Sequence, residues 1–198
     1  MLVAAAPAGN MVGMPEVRLT GRLLAASPAL HDPNFDRTVV LVLDHGDGGA
    51  LGLVLNRPSE TVVDDPLPQW RAKATEPPVV FVGGPVSRSS AICLARSPRE
   101  VGANGWQPLF GRLGTLDLGL DPDDVSVTID GLRIFAGYAG WGTGQLEAEI
   151  AAGAWFVLRA EPEDAFAPDP NGLWRRVLHR QRGVLAALAN YPPDLAVN

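Results

Sequence analysis

The chain predicts a single α+β domain of many short strands with few, short helices, and three observations carry that expectation. Its 198 residues include 22 glycines and 18 prolines, a density of turn formers that leaves little room for long regular elements. The apolar segments are brief and β-branched until the last quarter, where helical periodicity sets in. A chain of this length buries one sizeable core, and no repeat, linker or low-complexity stretch divides the body of it.

The elements follow in order. Residues 1–16, MLVAAAPAGNMVGMPE, lack the basic start and long apolar run of a secretory signal, so a disordered tail is expected there, with one domain over 17–198. RLTGRLLAA reads as a strand with Gly21 at a bulge or close approach. RTVVLVLDH contains the apolar run Val39 to Leu43, a strand buried on both faces, and GDGG turns it back into the partner strand ALGLVLN, a β-hairpin. Capping and breaking residues around Val63 to Trp70 suggest a short helix broken by prolines. VVFV at 79–82 is a strand, GGPV a turn, and Ala91 to Ala95 a further strand. SPREVGANGWQ reads as a surface loop, followed by strands near Gly111 to Leu116 and Ser126 to Ile129.

A strand from Leu132 to Tyr138 leads into GYAGWGTGQLEAEI, residues Gly137 to Ile150. There Thr143 is expected to cap a helix of barely two turns that stops at Gly153. AWFVLRA is then a strand and EPEDAF a turn of helix. Near the C-terminus, Leu173, Trp174, Val177 and Leu178 share one stripe of an amphipathic helix, with Arg175, Arg176 and Arg180 largely off it. Gly183 separates this helix from a last one ending before Pro192.

Composition narrows the function classes. The formal net charge of −6 repels a phosphate backbone on average, so direct nucleic-acid binding is disfavoured. No apolar run reaches the roughly 20 residues a spanning helix needs, so no membrane role is expected. The single cysteine, Cys93, cannot form an internal disulfide, and the cytoplasm suits the chain best. In AICLA that thiol reads as an inert core residue. His31, His45 and His179 lack ligand spacing; a site at His45 with Asp44 and Asp47 is conceivable, but a solvated hairpin end is the plainer reading, and neither metal nor cofactor is expected. There is no G-x-S-x-G elbow, Walker motif or G-x-G-x-x-G fingerprint.

Taken together, GRLLAASP, DPNF, RTVVLVLDH, GALGLVLNRP, VFVGGPV and RIFAGYAGWGTGQLEAEI resemble the YqgE/AlgH family, over about residues 17 to 198. The resemblance implies several coiled, mostly antiparallel sheets, including a small SH3-like barrel, flanked by helices. Its members are mainly bacterial and widely labelled transcriptional regulators, through a genetic link to alginate production. No family-wide enzymatic activity comes with it.

Three Gly- or Asn-bearing turns each follow a predicted strand and could converge as one concave site. The candidate residues are Asn56 and Arg57, Gly83 and Gly84, Tyr138, Trp141, Gln145, Glu147 and Glu149, with Gln145 and Glu149 facing Asn56 and Arg57. The competing structural reading makes GYAGWGTGQ a strained strand-to-helix corner in which the two acids oppose the helix dipole. The favoured function is a non-enzymatic binding or regulatory module acting through an unidentified protein or small ligand. The alternative is an enzyme with Glu147 or Glu149 as base and Arg57 as clamp. Five tryptophans leave room for a symmetric homodimer.

Overall fold

The computed structural model describes residues 18–98, 104–125 and 128–191. The expected tail at 1–16 lies outside them, as does half of the strand expected from Ser126; its described remainder, Thr128 and Ile129, is not strand.

The strands are β1 (Arg22–Ala26), β2 (Val39–Gly46), β3 (Gly49–Val54), β4 (Pro58–Val62), β5 (Val79–Val82), β6 (Val86–Arg96), β7 (Trp106–Phe110), β8 (Leu113–Leu116), β9 (Gly131–Trp141) and β10 (Trp155–Arg159). The helices are α1 (Gln145–Ala151), α2 (Leu173–His179) and α3 (Val184–Leu188). The main pairing path runs β10-β1-β2-β3-β9-β6-β8-β7, with β4 and β5 branching from β9. Every ladder is antiparallel except β5 with β9. The result is one curled sheet, a half-barrel, in which the paired strands do not divide into several sheets.

Side-chain alternation builds a core on each face. Leu23, Leu41, Leu53, Phe81, Phe135 and Leu94 point to one side, where they meet Leu173, Trp174, Val177 and Leu178 of α2. Their neighbours Leu24, Val40, Val42, Val54 and Ala139 point to the other side, under Leu146 of α1. A third cluster backs the far half of the sheet, around Val63, Trp70, Cys93, Trp106 and Ile134. The β2–β3 hairpin closes over Asp47 and Gly48, with only Gly49 of the GDGG run at positive φ.

Two regions differ from the sequence expectation. A 3-10 helix at Pro68–Lys73 replaces the one expected over Val63 to Trp70, because Pro66 and Pro68 bar an α-helical ladder before Trp70 is buried. Part of the expected surface loop is strand instead: Trp106 opens β7, which pairs with β8 across the turn at Gly111 and Arg112.

The pivot of the sheet is β9. One edge pairs with β6 for most of its length; the other pairs with β5 at Phe135 and Ala136, then with β3 from Ala139 to Trp141. Gly83 bridges this fork, donating its N–H to the Ala136 carbonyl at 2.9 Å and accepting from Val54 at 2.8 Å. A Cβ at Gly83 would lie 2.2 Å from the Gly137 carbonyl oxygen, so only glycine fits. Gly137 has φ +71° and packs under the Cα of Arg88.

β9 also carries a buried cation. Arg133 is 1% exposed and stands 4.4 Å over the Phe81 ring. It donates to the carbonyls of Ala165 (3.1 Å), Glu76 (3.0 Å) and Ala167, stitching the loop at 75–77 and the 3-10 turn at Asp164–Phe166 to the sheet. Burial, with a smaller contribution from the charge of Arg176, lowers its pKa to about 10, which still leaves it protonated at neutral pH. Replacing Arg133 by Ala strands three carbonyls and opens a cavity. The expected loss is on the order of 4 kcal/mol, read from urea unfolding midpoints; a loss under about 1 kcal/mol would contradict this role.

Candidate functional site

The GYAGWGTGQLEAEI segment forms a closed junction. Trp141, at the end of β9, is 6% exposed. It stacks on Phe35 with centroids 6.3 Å apart and meets Trp155 edge-on at 6.0 Å, while Phe35 meets Trp155 edge-on at 5.4 Å. Oε2 of Glu149 accepts both indole N–H groups, from Trp141 at 2.9 Å and Trp155 at 2.8 Å. Its Oε1 accepts from Gln145 Nε2 at 2.9 Å. Gln145 Oε1 in turn accepts from the backbone of Gly142 at 3.0 Å, so Gln145 closes the helix entry where Thr143 was expected to cap, and Gly144 is the N-cap residue. Glu149 thus binds indoles in place of the expected helix-dipole role.

Glu147 does lie in the first turn of α1. Its Oε1 is 2.7 Å from Nε2 of His45, a ring only 3% exposed. Leu19 donates its backbone N–H to Nδ1 of that ring at 3.3 Å, so Nδ1 is the acceptor and Nε2 carries the proton shared with Glu147. His45 is therefore a buried ring held by Leu19 and the half-exposed Glu147 rather than a solvated hairpin end. Glu149 accepts hydrogen bonds from the fold at both carboxylate oxygens, and Glu147 at one.

The other candidates lie around the fork. Asn56 is 8% exposed and clips two backbone groups, accepting from Val39 at 2.8 Å and donating to the Arg37 carbonyl at 2.9 Å. Gly84 lies against the backbone of Tyr138, and a Cβ there would sit 2.1 Å from the Tyr138 carbonyl carbon. Because β3 and β5 diverge beyond Gly83, a cleft of about 300 Å³ opens between their ends, walled by Val54, Arg57, Val82, Gly84, Asn34 and Arg88.

Arg57 and Gly84 therefore share one hollow, with Gly83 and Tyr138 in its supporting backbone. Trp141, Gln145, Glu147 and Glu149 belong to the helix junction, and Gln145 and Glu149 make no hydrogen bond to Asn56 or Arg57.

One loop connects the two places. Asp36 accepts at its carbonyl from Arg57 at 2.8 Å, Asn34 accepts at its side chain from Arg88 at 3.3 Å, and Phe35 between them packs on both tryptophans. Asn34 and Arg88 were missed in the sequence. An isolated arginine in SRSS after a Gly-Pro turn and an asparagine in DPNF are the only local signals, and both are weak.

Elsewhere, Cys93 is 1% exposed, and burial raises its thiol pKa to about 12. Arg175 and Arg176 are exposed, whereas Arg180 ties Asp164 and Glu161 to the Arg159 carbonyl. Burial alone would lower the Arg180 pKa, but hydrogen bonding and attraction from Asp164 and Glu161 outweigh it and raise it. Among the described residues no helix is long and apolar enough to cross a membrane, and no cluster of three or more metal-ligating side chains occurs.

Two outcomes follow. Glu149→Ala leaves two indole donors unpaired and should lower stability by about 2 kcal/mol with a shift in tryptophan emission; unchanged emission would contradict the shared-acceptor geometry. Because burial disfavours the thiolate, Cys93 should resist iodoacetamide in the native protein at about pH 8 and react fully in denaturant. Rapid native alkylation would contradict its burial.

A family profile described as AlgH-like (DUF179) matches residues 23–186. A UPF0301 protein of Streptomyces avermitilis is 52% identical over 193 residues, covering 95% of this chain and 100% of that protein. A UPF0301 protein of Mycolicibacterium vanbaalenii is 46% identical over 181 residues, covering 90% of each. Among solved structures, a Corynebacterium diphtheriae protein superposes with a TM-score of 0.81 at 32% identity, covering 86% of this chain and 91% of that one. The solution structure of AlgH from Pseudomonas aeruginosa superposes with a TM-score of 0.65 at 29% identity, covering 93% of this chain and 100% of that one. The chain belongs to the AlgH-like family, also designated UPF0301 or YqgE/AlgH.

Proposed function

We propose that the protein is a non-enzymatic binding module, and that any regulatory effect is indirect, exerted through a small ligand or protein seated in the cleft at the fork between β3 and β5. The observation that carries this reading is the division of the candidate residues between two places. Arg57 faces a concave surface, while the two acids that could serve it as bases are held at a separate junction by His45, Trp141, Trp155 and Gln145. A general base needs a lone pair directed at a substrate proton. Here both oxygens of Glu149 and one oxygen of Glu147 are directed at the protein's own donors, away from the cleft residues.

The cleft suits binding for the opposite reason. It lies where the ends of β3, β4 and β5 meet, at Val54, Pro58 and Val82, and its two guanidiniums each make one hydrogen bond to the protein, leaving further N–H donors for a ligand. Loop Asp32–Arg37 joins the cleft to the aromatic junction and could report occupancy there. Direct operator recognition is not part of this proposal: the chain is acidic overall, and the exposed arginines of α2 are interleaved with core residues.

A soluble metabolite library followed by two-dimensional amide NMR tests the reading. Binders should move the resonances of Arg57, Val82, Gly84 and Arg88 together, lose affinity in Arg57→Ala, and be recovered unchanged. Turnover of a compound that Glu147→Gln or Glu149→Gln abolishes would overturn it, as would binding confined to another face.

A further inference from the structure

A second hollow adjoins the cleft and shares Val82 and Arg88 with it. It measures about 360 Å³ and its lining is mainly apolar, with Leu67, Val82 and Ala136 partly exposed above the buried Val80, Phe81 and Ile134. Its existence follows from an irregularity in β6. Val86 stands opposite Tyr138 and Ala91 opposite Ala136, so the stretch Ser87–Ser90 has only Gly137 across from it and must loop out. Ser87 takes φ +49° in doing so. The loop places Arg88 on the rim between the two hollows.

Among the described residues lining the two hollows, Arg57 and Arg88 are the ionisable side chains. Arg57 and Arg88 form no ion pair with a carboxylate among the described residues, in a chain whose formal net charge is −6. Two acids lie nearby in the loop. The Asp32 carboxylate accepts from Asn34 N at 2.8 Å and Asn34 Nδ2 at 3.0 Å, and Asp36 offers Arg57 its carbonyl while its side chain is exposed. A pair of guanidiniums next to an apolar trough complements a ligand with the converse pattern.

We propose, building on the binding reading above, that the two hollows form one bipartite site for a small amphipathic anion. Arg57 and Arg88 take a carboxylate or phosphomonoester head, and the trough along Leu67, Val82 and Ala136 takes an apolar chain. Guanidiniums serve both kinds of head through paired N–H donors. Selectivity against neutral and cationic amphiphiles arises because neither offers those donors an anionic acceptor.

The test is titration of the full chain with octanoate, octyl phosphate, octanol and octylamine below their micelle concentrations, read by tryptophan emission and by NMR. Both anions should bind saturably, with shifts at the Arg57 and Arg88 side chains and at the methyls of Val82 and Ile134. From butyrate upward, affinity should rise about fourfold per methylene and then level off once the trough is full. Arg57→Gln and Arg88→Gln should each weaken binding about tenfold, with Arg57→Lys retaining more than Arg57→Gln; Arg88 is exposed, so its variant should fold normally.

Equal binding of octanol or octylamine, indifference to both arginine variants, or uptake only by anionic phospholipid vesicles would overturn the proposal. If other compounds bind the cleft while these anions do not, the ligand class is wrong and the binding reading stands. If nothing perturbs the cleft, both fall.

Discussion

The close approach of two backbones, Gly83 on Gly137, is the constraint from which the rest of the architecture follows. A Cβ at Gly83 would stand 2.2 Å from the Gly137 carbonyl oxygen, and with that gap open β9 could not hold β5 and β3 in turn along one edge. The divergence of those two strands makes the cleft. Opposite Gly137, whose φ is +71°, Ser87–Ser90 of β6 bulge out of the ladder with β9, which places Arg88 at the mouth. A hollow with two guanidiniums at its entrance is thus a consequence of how one strand is shared, not of a motif contiguous in the chain.

The aromatic junction serves a different purpose. One carboxylate oxygen of Glu149 satisfies two indoles that are otherwise deep in apolar surroundings, and Phe35 completes the cluster. Unpaired donors in such a setting are unfavourable, so the acid fixes the position of α1 against β9 and β10. Phe35 also belongs to the loop whose neighbouring residues receive Arg57 and Arg88. The junction and the cleft are therefore mechanically adjacent although chemically distinct.

Much of this fold was legible in the sequence where a local rule decides the outcome. Val39 to Leu43 had to be buried on both faces because nothing polar interrupts the run. VVFV became the strand expected of it, and Gly153 ends α1 in the left-handed conformation. The misses share a cause. The 3-10 turn after Pro68 and the strand at Trp106 depend on tertiary burial that no periodicity records. Glu147 finds His45 across 102 positions of sequence, and Arg57 and Arg88 meet only through the fork. The acids of the GQLEAE stretch look available when read along the chain, whereas the donors that occupy them come from elsewhere in it. The glycines announced a close approach, but which backbones approach is a property of the folded sheet.

Amide hydrogen exchange resolved residue by residue tests the fork most directly. The N–H groups of Val54, Val82 and Gly83 lie at strand ends or in a turn, yet Val54 donates across the divergence to Gly83 at 2.8 Å, Val82 to the Arg57 carbonyl at 2.8 Å and Gly83 to Ala136 of β9 at 2.9 Å. If the fork is a fixed joint, these three amides exchange as slowly as those of the central strand β2. Exchange at the rate of exposed turn amides would mean that the joint opens freely, and the cleft would lose its rigid walls.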